Sequence, residues 1–225
     1  MRLHLAFTPR SLARPPTWAT SLIFILLSAT SFASGLPSLL DADLGRGAYA
    51  RMHMLLEKTI LAVDVATIEV RVDPQTERKF ELLNKGKSYS PELEEELAQA
   101  MFGAQSAVVQ VKFLRAISLD QFVDGVRESL DEAHQAGVLS DALRKRVSAG
   151  LPQWFETMKD SGFRAGDRVV YKINPSQLRT VVIRNSGELA VDRSDEGAEN
   201  RMILLGSYFA STTSYRQPLL RSLGK

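Results

Sequence analysis

The most constraining stretch of this chain runs from Val108 to Ala136, VVQVKFLRAISLDQFVDGVRESLDEAHQA, because it passes from one periodicity to another across a single cap. Val109, Val111 and Phe113 alternate with Gln110, Lys112 and Leu114, which is the period-two pattern of a half-buried strand. Ser118-Leu-Asp-Gln121 then has the form of a capping box: the Ser hydroxyl accepts from the backbone N–H three residues on, and the Gln side chain reaches back. Beyond it, Phe122, Val126, Leu130 and Ala133 share one helical face, with Asp124, Arg127, Glu128 and Asp131 largely opposite. Gly137 supplies the stop. A strand that delivers a capped amphipathic helix fixes a β-then-α unit, around which the rest must pack.

The 225 residues fit a single domain once a leader is set aside. Arg2, Arg10 and Arg14 precede an apolar run centred on Leu22 to Leu27, small residues stand at Ser31 and Ala33, and no acidic residue occurs before Asp41. That order describes a secretory signal peptide, residues 1–33, cleaved after Ala33. The unbroken apolar part falls well short of the ~20 residues a membrane-spanning helix needs. Contact with a membrane is therefore expected only through this leader, and the mature protein is expected in an oxidising periplasm. The chain carries no cysteine, which excludes a lipid-bearing Cys and any disulfide.

The leader also carries the basic balance. The whole chain has 28 basic and 26 acidic residues; without its three leader arginines the count is 25 to 26, one net negative charge. A nucleic-acid role loses its electrostatic footing. About 190 mature residues suffice to bury a core without covalent staples.

Residues 34–47 are small, polar and Gly-rich, and read as an N-terminal arm before a domain spanning 48–225. From Tyr49 to Val72 the pattern is β, either two strands or one long bent strand, and Asp73-Pro74 ends it. Asp64 interrupts an otherwise apolar face, so it needs a partner or an opening to water. Thr76 to Leu83 is compatible with a short helix or an irregular excursion. Ser90-Pro91-Glu92 starts a helix that runs to about Phe102. Ser140-Asp141 starts another, interrupted at Gly150-Leu-Pro152 before the apolar cluster Trp154, Phe155 and Met158. Three short strands follow, Arg168 to Ile173, Leu178 to Arg184 and Glu188 to Asp192, joined by turns at Asn174-Pro-Ser176 and Asn185-Ser-Gly187 as an antiparallel meander. Gly197 to Phe209 reads as a final helix with Met202, Leu205 and Phe209 inward.

Several chemistries find no footing in these residues. His4, His53 and His134 form no metal-ligand spacing, so no metal or cofactor is expected. There is no Gly-rich phosphate loop and no GxSxG elbow. The acidic run Glu92 to Glu96 opens a helix and reads as a solvated face opposing the dipole, and Arg144-Lys-Arg146 reads as another solvated face.

Four segments in order, rather than any one of them, resemble the chalcone isomerase-like superfamily in its bacterial, exported branch. They are Gly47-Ala-Tyr-Ala-Arg51 followed by Leu56 to Val65; Lys112 to Arg127 as Phe-Leu-Arg, cap and helix; Gly166-Asp167 with the strands after it and the Asn185-Ser-Gly187 hairpin; and the closing helix. The resemblance covers most of residues 41 to 225. It implies an α+β fold, an open-faced β-sandwich in which helices layer on one face of a curved antiparallel sheet. A ligand cleft is implied between sheet and helices. In the plant enzymes of this superfamily a strand Arg and Thr, with a Tyr and an Asn near the central helix, assist an intramolecular ring closure by steadying a developing enolate.

Carried across by position, Arg51 falls on the arginine, with Arg46 as the alternative if the register slips. Thr59 falls on the strand hydroxyl, Phe122 on the tyrosine and Ser129 on the asparagine. Phe122 has no hydroxyl and Ser129 no amide, so the resemblance points away from an active isomerase or intramolecular lyase and towards the superfamily's fatty-acid-binding branch. There an arginine takes the carboxylate and an apolar cleft takes the chain. Three functions thus stand in order of expectation: an exported, non-catalytic binder of an apolar acid such as a fatty acid; an isomerase acting on an enone-type, chalcone-like substrate; and a structural envelope protein whose cleft is packed shut.

Overall fold

A computed structural model of the chain describes residues 51–58 and 63–224. The leader, the arm, Arg46 and Thr59 lie outside the described residues. Six strands form one antiparallel sheet whose spatial order is their sequence order. They are β1 (Arg51–Lys58), β2 (Val63–Val72), β3 (Ala107–Phe113), β4 (Arg168–Ile173), β5 (Gln177–Ile183) and β6 (Leu189–Glu196). The long β run is two strands, paired from Arg51↔Arg71 to Lys58↔Val63 with one register shift at Leu56/Glu57. Asp64 is exposed beside that shift, so water solvates its carboxylate.

Between β2 and β3 lie α1 (Pro74–Asn84) and α2 (Pro91–Phe102), and between β3 and β4 lie α3 (Leu119–Gln135) and α4 (Asp141–Trp154). The chain ends in α5 (Glu199–Phe209) and the short α6 (Arg216–Arg221), the latter a helix the sequence reading did not anticipate. The main core joins inward residues of the sheet, among them Met52, Ile68, Val70, Val109 and Val182, to Leu97, Leu130, Leu151, Leu205 and Phe209 from the helices. This is the open-faced α+β sandwich that the resemblance implied. Val108, Val170, Val181 and Ile183 form a smaller buried cluster on the opposite parity of the sheet.

The uncertain stretch after Asp73 is helical because Asp73 organises it. Asp73 Oδ1 accepts from the N–H groups of Gln75 and Thr76, both at 3.0 Å, and Oδ2 accepts from Thr76 Oγ1 at 2.9 Å and the Gln105 N–H at 3.0 Å. One carboxylate thus starts α1 and ties it to the loop entering β3. Burial pushes its pKa up, but these donors together hold it below the ordinary carboxylate value.

Helix α4 is not interrupted at Gly150-Leu-Pro152. A proline inside a helix leaves the carbonyl four residues back without its N–H. Here that carbonyl belongs to Ser148, and Arg127 Nη2 of α3 donates to it at 3.3 Å. Gly150 serves packing: a Cβ there would stand 2.5 Å from the Trp154 ring, which folds back over this turn. Strand β6 likewise runs past Asp192 to Glu196, alternating exposed and half-buried residues along the sheet edge.

The acidic run is more than a solvated face. Arg216, buried in α6, donates from Nη2 to Glu95 at 2.6 Å and lies 3.1 Å from Glu94, whose other oxygen accepts from the Tyr89 hydroxyl at 2.7 Å. Glu94 and Glu95 therefore anchor the C-terminal helix to α2. Arg144, Lys145 and Arg146 are engaged in ion pairs with Asp131, Asp141 and Glu199.

Candidate functional site

The sheet and helices do not close on each other completely. A cavity of about 160 Å3 lies between β1–β6 and α3, α4 and α5, roughly ten times what one buried water occupies. Its walls are mostly aliphatic and aromatic, with Ile68, Val111, Leu130, Leu151 and Leu204 among them. Walls of that kind favour an apolar occupant over water.

One end is closed by Phe113, Phe122 and Phe155, with Phe163 packed behind them. Phe122 from α3 packs against Phe163 with ring centroids 4.6 Å apart and against Phe155 at 4.9 Å, while Phe113 from β3 lies 4.7 Å from Phe163. Phe163 reaches this cluster through a loop that local chemistry builds. Its N–H and C=O exchange hydrogen bonds with Ile117, at 2.9 and 3.0 Å. Gly162 before it has φ +56, and a Cβ there would meet the Ile117 carbonyl at 2.4 Å. Asp167 closes the loop, accepting from the Arg164 N–H at 2.9 Å, the Asn185 N–H at 2.8 Å and Arg184 Nη1 at 3.0 Å. Burial pushes the Asp167 pKa up, but these donors hold it below the ordinary carboxylate value.

The other end is lined by hydroxyls. Tyr171 of β4 and Thr180 of β5 are cross-strand partners on the helix-facing side, and Tyr208 of α5 stands over them. Tyr215 stacks on Tyr208 at 5.5 Å. Among the described residues, Tyr171 Oη, Thr180 Oγ1 and Tyr208 Oη have no hydrogen-bond partner, yet they are not sealed in packing either. Tyr171 is half-buried and lines the cavity. Burial pushes both phenols well above their ordinary pKa, and for Tyr208 the neighbouring Tyr171 and Tyr215 add to the effect. They stay protonated and can donate. Ser129 and Ser207 also line the cavity, but each donates to its own helix, to Gly125 O at 3.0 Å and Ile203 O at 2.9 Å.

No Arg, Lys or His is among the described residues that line the cavity. Across the ladder from Thr180 stands Arg193, which is engaged: its Nε donates to Asp195 at 2.7 Å and its guanidinium lies 4.5 Å over the Trp154 ring. Asp195 and Trp154, both half-buried, border the cavity at the β6 edge. Among the described residues no cluster of three His, Cys, Asp or Glu side chains forms that could hold a metal ion.

The structure brings together two of the four residues expected at the site. Phe122 and Ser129 both line the cavity from α3. Arg51 does not line it: its side chain is exposed on the opposite parity from Met52, near Glu77, Glu81 and Lys85 of the α1 end. With the inward residues of β1 at Met52, Met54 and Leu56, register places Arg51 on the far side of the strand. Tyr171, Thr180, Tyr208 and the Arg193–Asp195 pair were missed. The available signal was the inward parity of Tyr171 and Thr180 in the meander.

No family model and no curated protein matches this chain. Among solved structures, it is similar to the fatty-acid binding protein AtFAP1 of Arabidopsis thaliana, with a TM-score of 0.53 and 12% sequence identity over 80% of this chain and 91% of that one. A likeness at that identity establishes the fold, the one already expected from the chalcone isomerase-like resemblance.

Proposed function

We propose that this protein is a non-catalytic binder of an elongated apolar molecule of fatty-acid type, held between the sheet and α3–α5. The observation that carries the reading is the apolar cavity itself, left open where packing would otherwise close it. The similarity in fold to a fatty-acid binding protein supports the same class of ligand. Phe122 adds to it, since its ring is committed to an aromatic wall and offers no hydroxyl, and Ser129 spends its donor on Gly125. Ring closure of a chalcone-like substrate therefore has no support from those two positions.

The leader supports export to the periplasm as part of the same proposal, within the superfamily's bacterial branch. Intact mass of the protein from its own host tests this; a chain beginning at Ser34 is expected, and a retained Met1 overturns it. For the ligand, native mass spectrometry of that material is expected to show an apolar adduct. Ser129→Phe, which puts a ring into the cavity, is expected to lose the adduct while keeping the helical circular dichroism. An adduct-free protein that also fails to take up added decanoic acid or methyl decanoate overturns the reading.

A further inference from the structure

Binding proteins for ionised apolar acids need a cation at the polar end of the cleft, because an isolated carboxylate in a dry site is strongly disfavoured. This cavity offers the opposite arrangement. Its polar end has three hydroxyls without partners, Tyr171, Thr180 and Tyr208, and no basic side chain among the described lining residues. The ionic pair at its border, Arg193–Asp195, is already neutralised and carries a carboxylate of its own on the cavity side. Unpartnered hydroxyls facing an apolar space are donors in need of an acceptor. They sit on three elements, β4, β5 and α5, that line one cavity: Tyr171 and Thr180 are directly opposed across the ladder, and Tyr208 lies near enough for Tyr171 to oppose its ionisation.

We propose that Tyr171, Thr180 and Tyr208 form a head-group site for a neutral hydrogen-bond acceptor, the carbonyl of an ester, a ketone or an un-ionised carboxylic acid. The apolar remainder of the ligand extends along the cavity towards the Phe122 cluster. This rests on the binding reading above and specifies its chemistry: the ligand enters uncharged, and an ionised acid takes up a proton from solvent before it binds. Because the phenols keep their protons well beyond neutral pH, the site donates over the whole physiological range.

The test uses the full chain and three probes of equal chain length, decane, methyl decanoate and decanoic acid, each titrated against a bound environment-sensitive dye. Methyl decanoate is expected to bind about tenfold more tightly than decane, the effect of one or two well-placed hydrogen bonds. Decanoic acid is expected to match the ester at pH 4 and to weaken steadily towards pH 8. In Tyr171→Phe/Tyr208→Phe, and separately in Thr180→Val, the ester-to-alkane ratio is expected to fall towards one while decane affinity stays within about twofold. Retained decane binding also shows that the variants fold. Decanoate bound at pH 8 more tightly than the ester overturns the head-group site, as does an ester preference that survives all three substitutions. Probes that bind without discrimination overturn it and leave the binding reading standing; no binding of any probe overturns both.

Discussion

The two ends of the cavity are built from the same kind of residue and behave oppositely. At one end Phe113, Phe122, Phe155 and Phe163 touch edge to face and tilted, with centroids between 4.6 and 6.4 Å, and leave no polar atom to satisfy. At the other, Tyr171 and Tyr208 differ from Phe by one oxygen each, and with Thr180 that oxygen turns a wall into a surface with something to recognise. Aromatic contacts stabilise the first end beyond the area they bury. The second gives up stabilisation, because a hydroxyl that has left water without finding a partner costs ~1–3 kcal/mol. The fold thus separates rigidity from recognition along one cavity.

The comparison breaks most visibly at its rigid end. Phe163 is fully buried, and Phe163→Ala is expected to lower the free energy of unfolding in urea by about 3–5 kcal/mol. The same truncation at a polar end built for recognition has no such lever. A loss below about 1 kcal/mol shows that the Phe cluster is not the fold's anchor.

The loop that delivers Phe163 gives the next effect, of about 1.5–3 kcal/mol for Asp167→Asn at neutral pH. Asp167 is nearly fully buried and its folded pKa lies below the ordinary value, so it binds its proton less readily folded than unfolded. Its contribution is therefore complete above the unfolded pKa, about 3.9, and is lost as pH falls through the lower folded value. Urea titrations at pH 7 and pH 3 are expected to show the gap between wild type and Asp167→Asn closing on the acid side. A gap that stays constant with pH assigns the effect to shape and not to charge.

The architecture was legible because period and punctuation agree in most segments. The Ser118–Gln121 box forms with both of its bonds, 3.1 and 2.9 Å, and Gly137 takes φ +74. What was not legible depended on neighbours distant in sequence. Pro152 sits inside α4 because Arg127, on another helix, supplies the bond its carbonyl partner lacks. β6 extends to Glu196 because Arg179, Thr180 and Leu178 offer partners to residues whose charge alone reads as loop. Ending β6 at Asp192 therefore also hid Arg193 opposite Thr180 and Asp195 at the cavity's border. Arg51 was placed at the site by resemblance, and one residue of strand parity moves it to the other face.

The border between the two kinds of wall gives a smaller effect. Gly150→Ala places a methyl where the Trp154 ring now lies, which must swing away from Arg193. The cost is expected to be on the order of 1 kcal/mol, since alanine's better helix propensity offsets part of the overpacking. Trp154 emission, referenced to Trp154→Phe, is expected to shift to the red as the ring gains water. Unchanged emission places the adjustment in the helix backbone instead.

The smallest expected change is the sharpest test of the comparison. If the Tyr208 hydroxyl faces the cavity without a partner, removing it from ligand-free protein takes away a desolvated donor and no bond. Tyr208→Phe is then expected to unfold within about 0.5 kcal/mol of wild type, or slightly above it, the sign that distinguishes an unmet hydroxyl from a bonded one. Tyr89→Phe is the control, because Tyr89 donates to Glu94 at 2.7 Å in the anchor of the C-terminal helix. It is expected to lose about 1–2 kcal/mol from the identical loss of one oxygen. Equal losses at Tyr208 and Tyr89 in paired urea titrations would mean that Tyr208 is bonded within the protein, and the two ends of the cavity would then differ in composition but not in kind.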